Sequence, residues 1–279
     1  MIVVVAACED DLAGIQTRLR ELGVHALRVE APSTSRRLVL ASVDDWEAER
    51  LAVTLRAEGM LAVTRPDSGP RLEAWLRHTR PITFADRLST CFAWSEHDRS
   101  ELPGLIELGP GGFGNGEHPA TRLLIEQLVD RINGGERVLD LGCGSGVLGL
   151  CAIELGAASV VAVDLKPEAI AATRRNATLN GMDQRVDATV APLATIEGAF
   201  DVIVANVGRG PIVELAPHLI GLLAPGGWLA VSGISPPQCS LVAGFLRPLI
   251  DVEQCIAGEW AAVVVAAEPE QPIPGTNPE

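Results

Sequence analysis

Residues 137–150, RVLDLGCGSGVLGL, constrain this chain more than any other stretch. An apolar run at 137–141 reads as a buried strand, and the apolar run after Gly146 reads as a helix. Between them Gly142, Gly144 and Gly146 allow a tight turn and a close backbone approach to a ligand. The helix that follows presents free N–H groups toward the same place. A strand, a glycine turn and a helix in this order open a parallel βαβ sheet, which binds ligands beyond the carboxyl ends of its strands. Asp164 ends the next strand, where an acid accepts hydrogen bonds from ribose hydroxyls.

Two cofactors compete for such a turn. GSGVLG at 144–149 also satisfies the GxGxxG dinucleotide pattern. Asp140 decides between them: a carboxylate just before the glycines repels a pyrophosphate but suits the cationic amino-acid end of S-adenosylmethionine. No domain carrying a hydride-transfer acid or base follows the sheet. The methyl donor is therefore the expected cofactor, and a glycine turn serving packing alone is the plain alternative.

The rest of the chain falls into two patterns. Strands at 2–6, 25–29, 37–42 and 60–64 alternate with a helix carrying Leu12, Ile15, Leu19 and Leu22 and a helix starting near Asp44 with Trp46, Leu51 and Leu55 inward. That βαββαβ order predicts a small ferredoxin-like α+β domain over 1–65. It holds no catalytic constellation; its sheet face or helices suit a partner, and a dimerisation or structural module is the alternative. The polar break RPDSGPR at 65–71 marks a boundary, followed by a linker region, 66–110, with a short helix holding Leu72, Trp75 and Leu76 and short strands after residue 80. Over 111–267 strands at 137–141, 159–163, 186–190, 201–205 and 227–232 alternate with helices at 119–132, 147–155, 167–179 and 212–223. This predicts an α/β, Rossmann-like, mostly parallel sheet, closed by an antiparallel hairpin at 250–256 and 260–266. The Pro- and Glu-rich tail, 268–279, reads as disordered.

Composition narrows the partners. A net charge of −14 repels phosphate backbones and disfavours a nucleic-acid substrate, and it favours a basic protein or cationic ligand over one that shares its sign. Solubility alone also accounts for such a charge. Aromatic residues are 4% with no tyrosine, which leaves few platforms for stacking bases. The six cysteines follow no CxxC or zinc spacing, so no metal is expected, and the set reads as reduced and cytoplasmic. The N-terminal apolar stretch lacks a basic region before it, and no apolar run reaches about 18 residues, so neither a signal peptide nor a membrane span is expected.

The segment GFGNGEHPATR at 112–122 resembles the FGTGxHxTT loop of the bacterial methyltransferases that modify large-subunit ribosomal protein eleven, the PrmA family. The likeness extends through LEAWLRHTRP at 72–81, DLGCGSGVL, VDLKPEAI, VANVGRGPI, GGWLAVSGI at 226–234 and GEW at 258–260, roughly residues 72–266. The resemblance implies a class I methyltransferase domain, an N-terminal substrate-recognition domain and a ribosomal-protein acceptor. It implies cofactor contacts by Asn115 and Gly116 in the loop, and by Thr121 at the methionine end. It further implies contacts by Asp140, Gly142 and Gly144 at the turn, by Asp164 and Leu165 at the ribose, by Pro192 and Leu193 at adenine, and by Asn206 near the transferred methyl group. The chain departs from the family pattern at Asn115, where the loop usually has threonine, at Ala120, and at Val207-Gly208-Arg209-Gly210.

Methyl transfer to an amine is a displacement at a carbon already activated by the sulfonium, so positioning supplies most of the catalysis. The amine must arrive neutral, which a desolvated site promotes. Asn206 is the expected catalytic residue, accepting a hydrogen bond from the amine; capping its own loop is the alternative. Residues 113–121 suit a lid, in which His118 serves either as a base or as a brace. Trp94 and Phe113 serve either the core or the substrate entrance. Asn206 lacks a following Pro-Pro-aromatic run, which disfavours planar amides and adenine as acceptors. A protein amino group is the leading acceptor. A small-molecule or peptide methyltransferase and a non-catalytic cofactor-binding module remain as alternatives.

Overall fold

The structure, a computed structural model, describes residues 1–31, 36–110 and 115–269, without the side chains of Glu73, Trp75, Leu76 and Arg77. Phe113 and Gly114 of the expected lid, and residues 270–279 of the expected disordered tail, lie outside the described residues. The chain divides into two compact units, Met1–Gly111 and Gly112–Glu279.

The first unit begins with β1 (Ile2–Ala7), α1 (Leu12–Glu21), β2 (Leu27–Glu30), β3 (Arg37–Ser42), α2 (Asp45–Ala57) and β4 (Leu61–Arg65). The strands form an antiparallel sheet in the order β2-β3-β1-β4, the ferredoxin-like arrangement. Val3, Val5, Val39 and Ala41 pack with Ile15 and Leu19 of α1 and with Leu51 and Leu55 of α2. Two expectations need correction. The opposite sheet face is not open, because Val4, Ala6, Leu38 and Leu40 are also buried. Trp46 is not inward but 71% exposed. The buried stripe of α2 runs through Ala48, Leu51, Ala52 and Leu55, and Trp46 lies off that i, i+3, i+4 line.

The segment 66–110, read from sequence as a linker region, belongs to the first unit. It forms α3 (Gly69–His78) and a three-stranded sheet of β5 (Ile82–Phe84), β6 (Leu88–Phe92) and β7 (Leu105–Leu108). Buried ion pairs tie it to the preceding elements. Glu107 on β7 pairs with Arg36 and with Arg99, and Arg65 at the end of β4 pairs with Glu96 at 2.9 Å. Trp94 is buried and stacks on Phe92 with 4.6 Å between ring centroids, so it is a core residue of this unit. Glu107→Ala is expected to destabilise the first unit by about 3–5 kcal/mol, because two buried guanidiniums lose their counter-ion. Chemical denaturation followed by circular dichroism measures this, and a loss below about 1 kcal/mol contradicts it.

The second unit contains α4 (Pro119–Arg131), β8 (Arg137–Leu141), α5 (Val147–Glu154), β9 (Ser159–Val163), α6 (Pro167–Leu179), β10 (Val186–Thr189), β11 (Phe200–Asn206), α7 (Arg209–Leu222), β12 (Leu223–Ile234), α8 (Cys239–Phe245), β13 (Ile250–Ala257) and β14 (Trp260–Ala266). One seven-stranded sheet runs β10-β9-β8-β11-β12-β14-β13. The first five strands are parallel, and β14 and β13 form the antiparallel end. The central strands are mostly apolar and buried, as a sheet covered on both faces requires, with Asp140 of β8 a buried exception. Chain order runs outward from β8 in one direction through β9 and β10, and from β11 in the other through β12. The reversal between β8 and β11 opens a crevice at their carboxyl ends, where ligands bind in such sheets. Among the described residues no helix is long and apolar enough to cross a membrane.

Candidate active site

The turn after β8 is built from three glycines in the left-handed region, Gly142 at φ +73°, Gly144 at +58° and Gly146 at +80°. The N–H groups of Gly142 and Cys143 both donate to Val163 O, at 2.7 and 3.1 Å, and Gly146 N–H donates to Cys143 O at 2.7 Å. From α6, the Thr173 hydroxyl donates to Gly144 O at 3.3 Å and Asn176 Nδ2 donates to Ser145 O at 2.8 Å. Sequence reasoning missed both of these residues. Their signal was two polar side chains three apart on the otherwise apolar stripe Ala169, Ile170, Ala172 and Ala177 of α6. Space fixes the glycines as firmly as backbone angle. A Cβ on Gly146 would lie 2.7 Å from Thr173 Cγ2, and one on Gly142 would lie 2.4 Å from Val207 Cγ1. The Cys143 thiol is pushed up to about 12 by burial, so at neutral pH it fills space in the turn and is no nucleophile.

Two carboxylates flank the turn in different settings. Asp164, after β9, is partly exposed; its Oδ2 accepts from Gly144 N–H at 3.1 Å and its Oδ1 from Lys166 N–H at 2.9 Å. Each oxygen keeps acceptor capacity for a further donor. Asp140, the fourth residue of β8, is 0% exposed. Its Oδ2 accepts from Gly149 N–H at 3.0 Å, which ties the start of α5 to the sheet. Its Oδ1 receives no hydrogen bond from a described residue. Burial pushes the Asp140 carboxyl up to about 7; the Gly149 N–H opposes the rise and the charge of Asp164 adds to it.

This shift has a consequence for stability. The folded chain keeps the Asp140 proton up to about pH 7, whereas the unfolded chain releases it near the ordinary value of 3.8. Between those values the native state binds more protons, so the contribution of Asp140 to stability is full below about pH 4 and is lost as pH rises through 7. Asp140→Asn is expected to remove this part of the pH dependence. Between pH 5 and pH 8 the melting temperature of the wild type should fall by roughly 4–8 °C more than that of the variant. Parallel slopes by calorimetry would contradict the assignment.

The second wall of the crevice comes from β11 and α4. Asn206 is the last residue of β11, and its Nδ2 donates to the Thr121 hydroxyl at 2.9 Å. Thr121 sits in the first turn of α4 and is 2% exposed. The loop before α4 is shaped by Gly116 at φ +88° and by Asn115, whose Oδ1 accepts from Glu117 N–H at 3.1 Å. His118 is the N-cap of α4: its Nδ1 accepts from Ala120 N–H at 3.3 Å, and its ring lies edge-on to Trp260 at 4.6 Å. Two pieces of the sequence pattern, GEHP and GEW, meet in that contact.

The residues after β9 and β10 separate into exposed and buried groups. Leu165 is 88% exposed and Val190, which sequence reasoning did not select, is 49% exposed. Pro192 is exposed, while Leu193 is 6% exposed and belongs to the main core with Val163 and Ile203. Two exposed apolar side chains near Asp164 offer a surface to a flat heterocycle, whereas Leu193 lies in the core.

These residues fit S-adenosylmethionine. Gly142 lets Val207 close against the turn where a side chain would clash, Asp164 offers acceptors at the turn's rim, and the buried Asp140 supplies a carboxyl oxygen that receives no hydrogen bond from a described residue.

Comparison with known proteins agrees. The family model for ribosomal protein L11 methyltransferase (PrmA) matches residues 53–268. The ribosomal protein L11 methyltransferase of Vibrio cholerae is 36% identical over 228 residues, 78% of this chain and 77% of that one. The Geobacter sp. protein of the same name is 39% identical over 197 residues, 68% of this chain and 64% of that one. The crystal structure of ribosomal protein L11 methylase from Lactobacillus delbrueckii subsp. bulgaricus superposes with a TM-score of 0.63 at 29% identity, over 68% of this chain and 99% of that chain. A glycine turn, an acid after β9 and an Asn–Thr pair at the carboxyl ends of the strands, in a chain matched by that family over most of its length, make this protein a member of the ribosomal protein L11 methyltransferase (PrmA) family.

Proposed function

We propose that this protein transfers methyl groups from S-adenosylmethionine to amino groups of a ribosomal protein, with the L11 protein named for its relatives as the acceptor. The observation that carries this reading is the Asn206–Thr121 pair beside the glycine turn. It is a polar pair able to accept hydrogen bonds at the carboxyl ends of the strands. Bound S-adenosylmethionine supplies a methyl carbon already activated by its sulfonium. Thr121, Asp140, Gly142, Gly144 and Asn206 border its methionine part in this reading, together with Asn115 and Gly116 of the loop. Asp164, Leu165, Pro192 and Leu193 serve its nucleoside part, Leu193 from beneath. Asn206 Oδ1 accepts a hydrogen bond from the incoming amine and aims its lone pair, which is the alignment that displacement at carbon demands.

The first unit serves substrate recognition in this reading, and the protein works in the cytoplasm. The charge of −14 suits a basic ribosomal protein as partner and opposes direct contact with RNA phosphates. A second reading, transfer to a small molecule or peptide, rests on Gly208 and Gly210, whose side-chain positions at the start of α7 are open space. Radiolabelled S-adenosylmethionine incubated with purified L11 protein and, separately, with a metabolite extract tests the two. Label in the protein is expected; label in small molecules alone overturns the ribosomal assignment.

A further inference from the structure

We propose that Trp260 is a positioning residue for the cofactor site: it holds the His118 ring in the orientation that caps α4, and through that cap it keeps Thr121 in place. The inference rests on the reading above in which Thr121 borders the methionine part of S-adenosylmethionine. It gives a task to GEW at 258–260, to which that reading assigns none.

Thr121 stands in the first turn of α4. The start of a helix is its weakest part, because its first N–H groups have no partner within the helix. Serine, threonine, aspartate and asparagine are the side chains that ordinarily cap such a start. Here the N-cap is His118, whose Nδ1 accepts from Ala120 N–H at 3.3 Å. That is a long bond, made by a ring whose χ2 torsion is soft, so the cap lasts only while the ring faces the right way. Trp260 settles the facing. The two rings lie 4.6 Å apart with 68° between their planes, and an edge-to-face pair favours one orientation over the others.

Topology puts Trp260 where this is needed. Strand β14 runs antiparallel to β12, so its first residue lies at the carboxyl ends of the parallel strands, where the crevice opens. The turn Gly258-Glu259, with Gly258 at φ +63°, closes the hairpin at the pair Ala257 and Trp260. Along β13, Glu253, Cys255 and Ala257 alternate onto one face. On that face Arg131 pairs with Glu253 at 2.7 Å, and Gln127 Nε2 donates to Cys255 Sγ at 3.3 Å. The hairpin thus fastens α4 at several points along its length. The contact of His118 with Trp260 is the fastening next to Thr121, and the other two lie toward the far end of the helix.

The experiment reads the first turn of α4 with and without cofactor. In the cofactor-free protein, amide exchange at Ala120 and at Arg122, whose N–H donates to His118 O at 2.9 Å, reports the turn itself. Trp260→Leu should speed exchange at both amides about fivefold and weaken S-adenosylhomocysteine binding, by calorimetry, about fivefold, the scale on which an edge-to-face pair shifts the competent fraction. Trp260→Phe keeps an aromatic ring and should stay within about twofold of wild type in both readouts. His118→Asn supplies a cap that needs no support from Trp260, so it too should stay within about twofold, and adding Trp260→Leu to it should cost nothing further. Arg131→Ala, which releases the far end of α4, should leave both readouts unchanged. Unchanged exchange in Trp260→Leu overturns the proposal without reference to any cofactor or acceptor, whereas a wild type that does not bind S-adenosylhomocysteine overturns the cofactor reading itself. A full Trp260→Leu effect in the His118→Asn background, a His118→Asn variant as weak as Trp260→Leu, or an equal loss in Arg131→Ala also overturns the proposal.

Discussion

Gly142→Ala is expected to weaken binding of S-adenosylhomocysteine by about 100-fold, whereas Gly181→Ala leaves it unchanged. Both glycines adopt similar left-handed angles, φ +73° and +68°, so an added methyl group costs each about 1–2 kcal/mol in backbone strain. They differ in what the methyl group meets. At Gly181 nothing lies within 4 Å, while at Gly142 the new Cβ falls 2.4 Å from Val207 Cγ1. Either the turn or Val207 must move. The turn is pinned by two hydrogen bonds to Val163 O, and Val207 follows directly on Asn206. Relief therefore displaces a wall of the crevice on one side or the other. Gly181→Ala should lower the melting temperature by roughly 2–6 °C, the effect of its strain alone. Gly142→Ala should add the loss of affinity, measured by titration calorimetry. Equal affinities for wild type and Gly142→Ala would mean that this turn does not hold the cofactor.

The parts of this fold that were legible in sequence are those where one residue pattern has one physical solution. Strands β8, β9 and β11 are apolar runs too short for helices and bounded by glycine or acid, and the structure places them where the pattern did. The glycine turn was legible for the same reason, since three alternate glycines between a strand and a helix leave few backbone paths. The hairpin of β13 and β14 was visible from two β-rich runs separated by a few residues. Elements went unread where local signals conflicted with long-range pairing. Strand β12 starts at Leu223, not near 227, and runs through Pro225, Gly226 and Gly227. Those residues signal a turn locally, but the pairing with β11, which shifts register between Phe200 and Val202, absorbs them. Helix α8 has seven residues and one apolar turn, too little periodicity to detect.

The site divides in the same way. Asp164, Gly142 and Asn206 were legible as residues at strand ends, and the structure has them after β9, after β8 and at the end of β11. The buried state of Asp140 did not, because a carboxylate at the end of an apolar strand reads as a ligand for something outside, and only the fold shows Gly149 N–H taking one oxygen. Thr173 and Asn176 were hidden because polar residues in helices usually face water. The segment 66–110 read as a linker because its strands are three to five residues long. What makes it part of a compact unit is a set of ion pairs between residues far apart in sequence, Arg36 with Glu107 and Arg65 with Glu96.

The pair formed by Asn206 and Thr121, 85 residues apart, is the part of the site with most to say about chemistry, and Asn206→Ala tests it most directly. The substitution removes a side chain from the end of a strand that is otherwise held by parallel partners on both sides, β8 and β12. Its backbone pairing with Ser232 survives the loss, so folding should be nearly unaffected, with a change in melting temperature within roughly 2 °C. The glycine turn and Asp164 remain, so affinity for S-adenosylhomocysteine should stay within about fivefold. Turnover should fall by about 100-fold or more, the scale at which misplacement of a reacting group slows a reaction governed by alignment. Asn206→Asp separates orientation from charge. It restores an acceptor oxygen, but it removes the donor to Thr121 and adds a further acid to a crevice that already holds Asp140 and Asp164. It should therefore recover little of the lost rate near neutral pH. Unchanged turnover in Asn206→Ala would reduce this residue to a cap for its own loop and leave the alignment of the amine to other groups. A fall in turnover matched by an equal fall in cofactor affinity would make it a binding residue with no separate part in the transfer step.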